Sequence, residues 1–181
     1  SLTTLDLSNG YGTSTKFGPK GVTALASAIA VMPSLTSLSV TRNNIVGDGA
    51  QQLASAVLAK PNLKIFSGIP LEKMRADSLT SLDLSGKGLG VPEAIVLADL
   101  LRSVSPSLTE CKLRSNNLRV EGWTIIFNAL RDSPSSKITT WELYSEGLGP
   151  ETAKAPAEYI SVSASLTECK LRSNNLRVEG W

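Results

Sequence analysis

A chain of 181 residues with 18 basic and 16 acidic side chains carries a net charge of +2, which gives no excess for holding nucleic acid or another polyanion. Its 41% apolar content suffices for a packed core, yet no run reaches the roughly eighteen apolar residues of a membrane span. Histidine is absent, so no Ser–His or Cys–His catalytic pair can be assembled, and the sequence reads as non-enzymatic.

The organisation emerges from the pattern Leu-x-x-Leu-x-Leu, which starts at Ser1, Ser34, Asn62, Ser78, Ser107, Lys137 and Ser165. In chain order, the first unit predicts a strand at 4–8 and a helix near 19–31. Between them lies an extra segment, NGYGTSTKFGPKG, which is either tolerated loop drift or a loop that overhangs one face and brings Tyr11 to a ligand. The second unit predicts a strand at 37–41 and a helix at 48–59. Leu35, Leu38, Val40, Asn43 and Ile45 fill its longer consensus. The third unit, Asn62 to Asp77, is only 16 residues long and is expected to be too short for a helix after its strand. Strands at 81–85, 110–114, 140–144 and 168–172 follow, with helices near 92–103, 121–132 and 151–162. Pro156 falls inside the last of these helices and is expected to kink or delay it. Residues 107–123 recur without change at 165–181, an offset of 58 residues, or two units.

A strand followed by a helix every 28 or 29 residues resembles the ribonuclease-inhibitor-like class of leucine-rich repeats. That resemblance implies an α/β solenoid in an open arc, with parallel strands on the concave face and helices on the convex face. The expectation is a single domain, 1–181, of about seven units. It reads as a piece of a longer array lacking both caps, since such arrays need polar end units.

In a parallel stack, equivalent residues form columns. The inward column reads Leu5, Leu38, Phe66, Leu82, Cys111, Trp141 and Cys169, with a bulky Trp between two small cysteines, as constant core volume favours. Cys111 and Cys169 would stand two strands apart, about 10 Å, too far for a disulfide. Without histidine or a Cys-x-x-Cys pair no metal site is expected, and no cofactor is called for. Two unbridged cysteines and no Asn-x-Ser/Thr acceptor point to a reduced, intracellular setting. Asn43, Asn116 and Asn174 keep the turn asparagine, expected to bond backbone in a ladder. Lys87 and Glu146 replace it in the alternate units, and Gly10 stands there in the first. Trp123 is expected in the core, with Trp181 as its counterpart.

The exposed columns carry the candidate site. One reads Asp6, Ser39, Ser67, Asp83, Lys112, Glu142 and Lys170, alternating in sign from Asp83 onward, which a self-satisfied charge ladder explains. The next reads Ser8, Thr41, Ile69, Ser85, Arg114, Tyr144 and Arg172. Its two arginines flank a tyrosine with no acid in the column, and Arg and Tyr are favoured in binding hot spots. Stacking of a guanidinium on Tyr144 without any ligand is the competing account.

The function read from these residues is a protein-interaction scaffold. It would bind a protein partner on the concave face through Arg114, Tyr144, Arg172, Lys112, Glu142 and Lys170, with Tyr11 assisting. Two alternatives stand beside it. One is a structural or peripheral subunit of a larger complex, contacting its neighbours through the ends of the array. The other is a regulator of a GTPase, because Ran GTPase-activating proteins have a similar repeat class.

Overall fold

The computed structural model describes residues 1–10, 17–104, 106–133, 136–144 and 146–174. Tyr11 and Trp181 lie outside them. Within them strand and helix alternate as the repeat pattern requires: β1 (Thr4–Asp6), α1 (Pro19–Ala30), β2 (Ser37–Ser39), α2 (Gly47–Leu58), β3 (Ile65–Phe66), α3 (Leu71–Arg75), β4 (Ser81–Asp83), α4 (Val91–Ser103), β5 (Glu110–Lys112), α5 (Arg119–Arg131), β6 (Thr140–Glu142), α6 (Pro150–Val162) and β7 (Glu168–Lys170). Local chemistry sets many of these limits. Proline opens α1, α4 and α6, where its missing N–H is not needed. Lys60, constrained by the following Pro61, lies just beyond the end of α2.

All paired strands are parallel and in the register the columns demand. Leu5 faces Leu38, which faces Phe66; Leu82 faces Cys111, then Trp141, then Cys169. Trp141 is fully buried and packs near Phe127, whose ring also lies 5.8 Å from Trp123 and 5.7 Å from Tyr159. Trp123 is core, as its column position implies. The two cysteines are both free, Cys111 buried and Cys169 half-buried. Burial pushes the thiol pKa of each upward.

Two ladders of side chains stitch the units. Asn43, Asn116 and Asn174 donate from Nδ2 to carbonyls of their own turn and of the preceding unit, including Leu7, Leu84 and Leu143 at 2.7 to 3.0 Å. A second ladder was not read from the sequence. Thr36, Thr109, Thr139 and Thr167, each directly after the first consensus leucine, donate their hydroxyls to Thr3, Thr80, Thr109 and Thr139 carbonyls at 3.0 to 3.1 Å.

The stack is interrupted at the third unit, and three expectations change there. The strands form two sheets, β1-β2-β3 and β4-β5-β6-β7, with no ladder joining β3 to β4. Asn62–Asp77 does hold a helix, the five-residue α3, because the chain turns back immediately after Phe66 and leaves room for one short helix. Ser67 and Ile69 are not on the exposed columns but buried. Ser67 and Gly68 take positive φ of 51° and 86°, and Phe66 and Ile69 bond to each other across the turn at 2.7 and 3.0 Å.

The break is bridged by a buried polar chain. Val40 N–H donates to Ser67 Oγ at 3.2 Å, and the Ser67 hydroxyl donates to Glu93 Oε1 at 2.7 Å. Glu93 Oε2 accepts the Gly90 N–H at 2.9 Å, which caps α4. Burial pushes the Glu93 carboxyl pKa up, opposed by the Ser67 hydroxyl and the Gly90 N–H. Nearby, Gly88 (φ 72°) is in a left-handed conformation, and a Cβ there would lie 2.9 Å from the Arg42 side chain, so any other residue would be strained and would displace Arg42.

Pro156 departs from expectation in one respect, the position of the helix start. It neither delays nor interrupts α6, which runs from Pro150 to Val162. The proline ring is buried beside Ala155 and Tyr159, so packing offsets the hydrogen bond that Thr152 carbonyl cannot receive from it.

Arg75 on α3 donates to the carbonyls of Leu63 at 2.9 Å and of Lys60 and Pro61 at 3.2 Å, gathering the acceptors left open beyond the end of α2. Arg75→Ala is expected to lower unfolding free energy by about 2 kcal/mol, read as a shifted urea midpoint. Ser67→Ala leaves both Val40 N–H and one Glu93 oxygen buried without a partner. We expect it to cost about 2–3 kcal/mol, and the double variant Ser67→Ala/Glu93→Leu to recover part of that loss in the same measurement.

Candidate functional site

The exposed residues of β4 to β7 form the candidate face. On each strand the central residue points into the core, so its two neighbours point outward by the period of two. Ser81, Glu110, Thr140 and Glu168 form one outward row, and Asp83, Lys112, Glu142 and Lys170 the next, each in direct register. Backbone bonds from Leu84 N–H to Lys112 carbonyl, Gly86 N–H to Arg114 carbonyl and Leu143 N–H to Lys170 carbonyl carry the ladder one step past the strands. The third set, Ser85, Arg114, Tyr144 and Arg172, follows two residues later on each strand's outgoing turn.

The charge ladder forms in part. Lys170 Nζ meets Glu142 across strands at 3.1 Å and Glu168 on its own strand at 3.3 Å. Lys112 turns to Glu110 on its own strand at 3.1 Å, not across to Glu142. Glu110 also accepts the Ser81 hydroxyl at 2.7 Å, and that bond, followed by Lys112, holds its carboxyl pKa below the usual range. Glu110 in turn raises the Lys112 ammonium, while Glu142 and then Glu168 raise that of Lys170. Ser85, whose N–H donates to Asp83 Oδ1 at 2.9 Å, keeps Asp83 low, with Lys112 and Arg114 adding to the effect. Asp83 and Glu110 are thereby kept charged, the opposite of what a general acid at neutral pH requires.

The structure places Lys112, Glu142 and Lys170 in one row across β5, β6 and β7, and Arg114, Tyr144 and Arg172 each two residues further along the chain. Arg114 and Arg172 are exposed, and Tyr144 between them is half-buried. The Arg172 Cζ lies 6.0 Å from the Tyr144 ring centroid, the outer limit of a cation–π contact, so the ligand-free stacking account holds for one arginine of the two. Among the described residues no group of three or more His, Cys, Asp or Glu side chains could hold a metal ion, and no helix is long and apolar enough to cross a membrane.

One residue at the rim is electrostatically unlike its equivalents. Glu146 occupies the ladder position of the turn asparagines and accepts the backbone N–H of Ser115. Its other oxygen is buried with no hydrogen-bond partner. Burial raises its pKa to about 7, against the pull of the Ser115 and Asn116 N–H groups.

Parallel strands in register, helices on one side and asparagine and threonine ladders define a leucine-rich repeat solenoid. Residues 31–54 match the leucine-rich repeat family. The chain is also similar to the ribonuclease inhibitor of Mus musculus, with 30% identity over 156 residues, which is 86% of this chain and 30% of that protein. The chain belongs to the leucine-rich repeat proteins, and its units are of the ribonuclease-inhibitor-like class. It spans less than a third of the length of the relative it matches.

The raised pKa of Glu146 has a pH signature. Between its ordinary 4.5 and about 7 the folded chain binds this proton more tightly than the unfolded chain. That contribution to stability is complete below the lower value and lost as pH rises through the upper. Glu146→Asn restores the ladder donor and removes the titration. We expect it to stabilise the protein by about 1 kcal/mol more at pH 8 than at pH 5. Urea titrations of both proteins at the two pH values measure the difference, and an equal effect at both would contradict it.

Proposed function

We propose that this chain is a non-catalytic protein-binding scaffold whose concave face, from β4 to β7, receives a protein partner. The observation that carries the reading is the set Arg114, Tyr144 and Arg172, which follow the ends of three adjacent strands at equivalent positions. Lys112, Glu142 and Lys170 beneath it are held in place by ion pairs. Pre-paired charges lose little side-chain freedom on binding and set electrostatic complementarity, while Arg and Tyr supply adaptable donors and apolar area. The relative's name, ribonuclease inhibitor, is that of a protein acting on another protein, which favours a protein partner over a small molecule. Two free cysteines suit a reducing, intracellular setting. Leucine-rich repeats as a class are protein-binding scaffolds, and fold alone goes no further than that.

Simultaneous substitution of Arg114, Tyr144 and Arg172 by alanine tests the reading. The side chains are exposed or half-buried, so thermal stability should change by less than about 1 kcal/mol. Affinity capture from native extract is expected to lose its specific partners by at least tenfold. An unchanged partner set, with the variant folded, sinks the concave-face assignment.

A further inference from the structure

The cations of the concave face differ in how they are satisfied. Both lysines are held by carboxylates of this chain, Lys112 by Glu110 and Lys170 by Glu142 and Glu168. The two guanidinium groups one step further along the strands are not. Arg114 feels Asp83 only at a distance, and Arg172 touches only the Tyr144 ring. Neither donates a hydrogen bond to any described residue. Each guanidinium carries five N–H donors in a planar fork that matches a carboxylate bidentately. Arg114 lies two residues past the end of β5 and Arg172 two residues past the end of β7, and those strands are separated by β6 alone. Parallel strands repeat every 4.8 Å or so, which sets the two strands that lead into these arginines about 10 Å apart.

Resting on the concave-face reading, we propose that the partner is an acidic protein segment lying across β5, β6 and β7. It presents two carboxylate side chains about 10 Å apart, one taken by Arg114 and one by Arg172, with Tyr144 as the apolar contact between them. The identity of the two flanking strands supports this spacing. Glu110, Cys111, Lys112, Leu113 and Arg114 recur as Glu168, Cys169, Lys170, Leu171 and Arg172, so the same fork is offered twice on either side of one tyrosine. The surrounding acids select against a continuous polyanion. Asp83, Glu110, Glu142 and Glu168 share the face, and a phosphate backbone crossing it would pass over them at unfavourable distances, whereas two discrete carboxylates need not. Arg172 can keep its ring contact while its fork binds, because stacking uses the face of the guanidinium and hydrogen bonding its edge.

Peptides of fixed spacing test the proposal on the intact chain. On a polyproline II scaffold of about 3.1 Å per residue, Glu-Pro-Pro-Glu sets its carboxylates about 9 Å apart on one edge. The comparison peptides are Lys-Pro-Pro-Lys, a version with the glutamates six residues apart, and a short single-stranded oligonucleotide. The Nε–Hε resonances of Arg114 and Arg172 report occupancy by NMR. Both are expected to move with Glu-Pro-Pro-Glu. Binding of that peptide should weaken about tenfold in Arg114→Lys or Arg172→Lys, which keep the charge but lose the fork. Arg102→Lys on α4 should leave it unchanged. Equal or tighter binding of the lysine peptide, of the longer spacing or of the oligonucleotide overturns the proposal, as does the absence of any shift at the two arginines. The alanine triple variant separates the two levels. If it loses its native partners while Glu-Pro-Pro-Glu moves neither arginine, the acidic-segment inference falls and the concave-face reading stands. If capture is intact, both fall.

Discussion

Each unit of a solenoid leaves backbone donors and acceptors open, and the next unit must close them; here one closure is made by side chains in place of a strand. After Phe66 the chain turns, the ladder stops, and the Val40 N–H that would meet a neighbouring strand is met by Ser67, whose proton goes to Glu93. Glu93 also secures the first turn of α4 through Gly90. Four residues from three units thus replace a strand-to-strand ladder, while α2 packs directly on α4 behind them. A carboxyl as buried as that of Glu93 is costly unless each oxygen has a donor, and both do. The two sheets share one apolar core because this chain of bonds lets the helical layer run on where the strands do not.

Beyond that junction the second sheet is regular, and its regularity is what presents an outward surface of fixed geometry. Rows of outward residues are spaced by backbone hydrogen bonds as far as Lys112, Glu142 and Lys170, and Arg114, Tyr144 and Arg172 follow at equivalent positions in the turns. The aromatic group behind the sheet, Trp123, Phe127, Trp141 and Tyr159, fixes that backbone from the core side. Its cost is visible: both indole N–H groups and the Tyr159 hydroxyl are buried without hydrogen-bond partners among the described residues. Close packing there outweighs polar satisfaction.

The legible part of the protein was what repeats. Leucine spacing placed the strands and the five long helices, and column reasoning put Cys111, Trp141 and Cys169 in register and the asparagines in their ladder. The strands proved three residues long where five were expected, since only the residues around the inward leucine complete the pairing. What escaped was non-periodic. A 16-residue spacing flagged the third unit, but nothing local said that Ser67 would pair with Glu93, 26 positions away and in another unit. Helix α3 is too brief for periodicity to reveal. The threonine ladder was legible in principle, because Thr36, Thr80, Thr109, Thr139 and Thr167 share one column position. Lys112 was misjudged in detail, because a same-strand acid two residues away competes with the cross-strand one, and column order alone does not rank them.

Repeat arrays change by copying and deleting units, and the fold sets where this can happen. Between β4 and β7 every junction uses the same parts, strand ladder and threonine hydroxyl, so exchange of one two-unit block for another leaves each bond a partner. The identical stretches are 107–123, which lies in that interchangeable region, and 165–181, whose strand β7 closes it. The junction at Ser67 has no such equivalents. A crossover between residues 40 and 93 would part a donor from its acceptor inside the core, so this is the seam at which the lineage of the array is fixed in place while the rest remains free to drift in number.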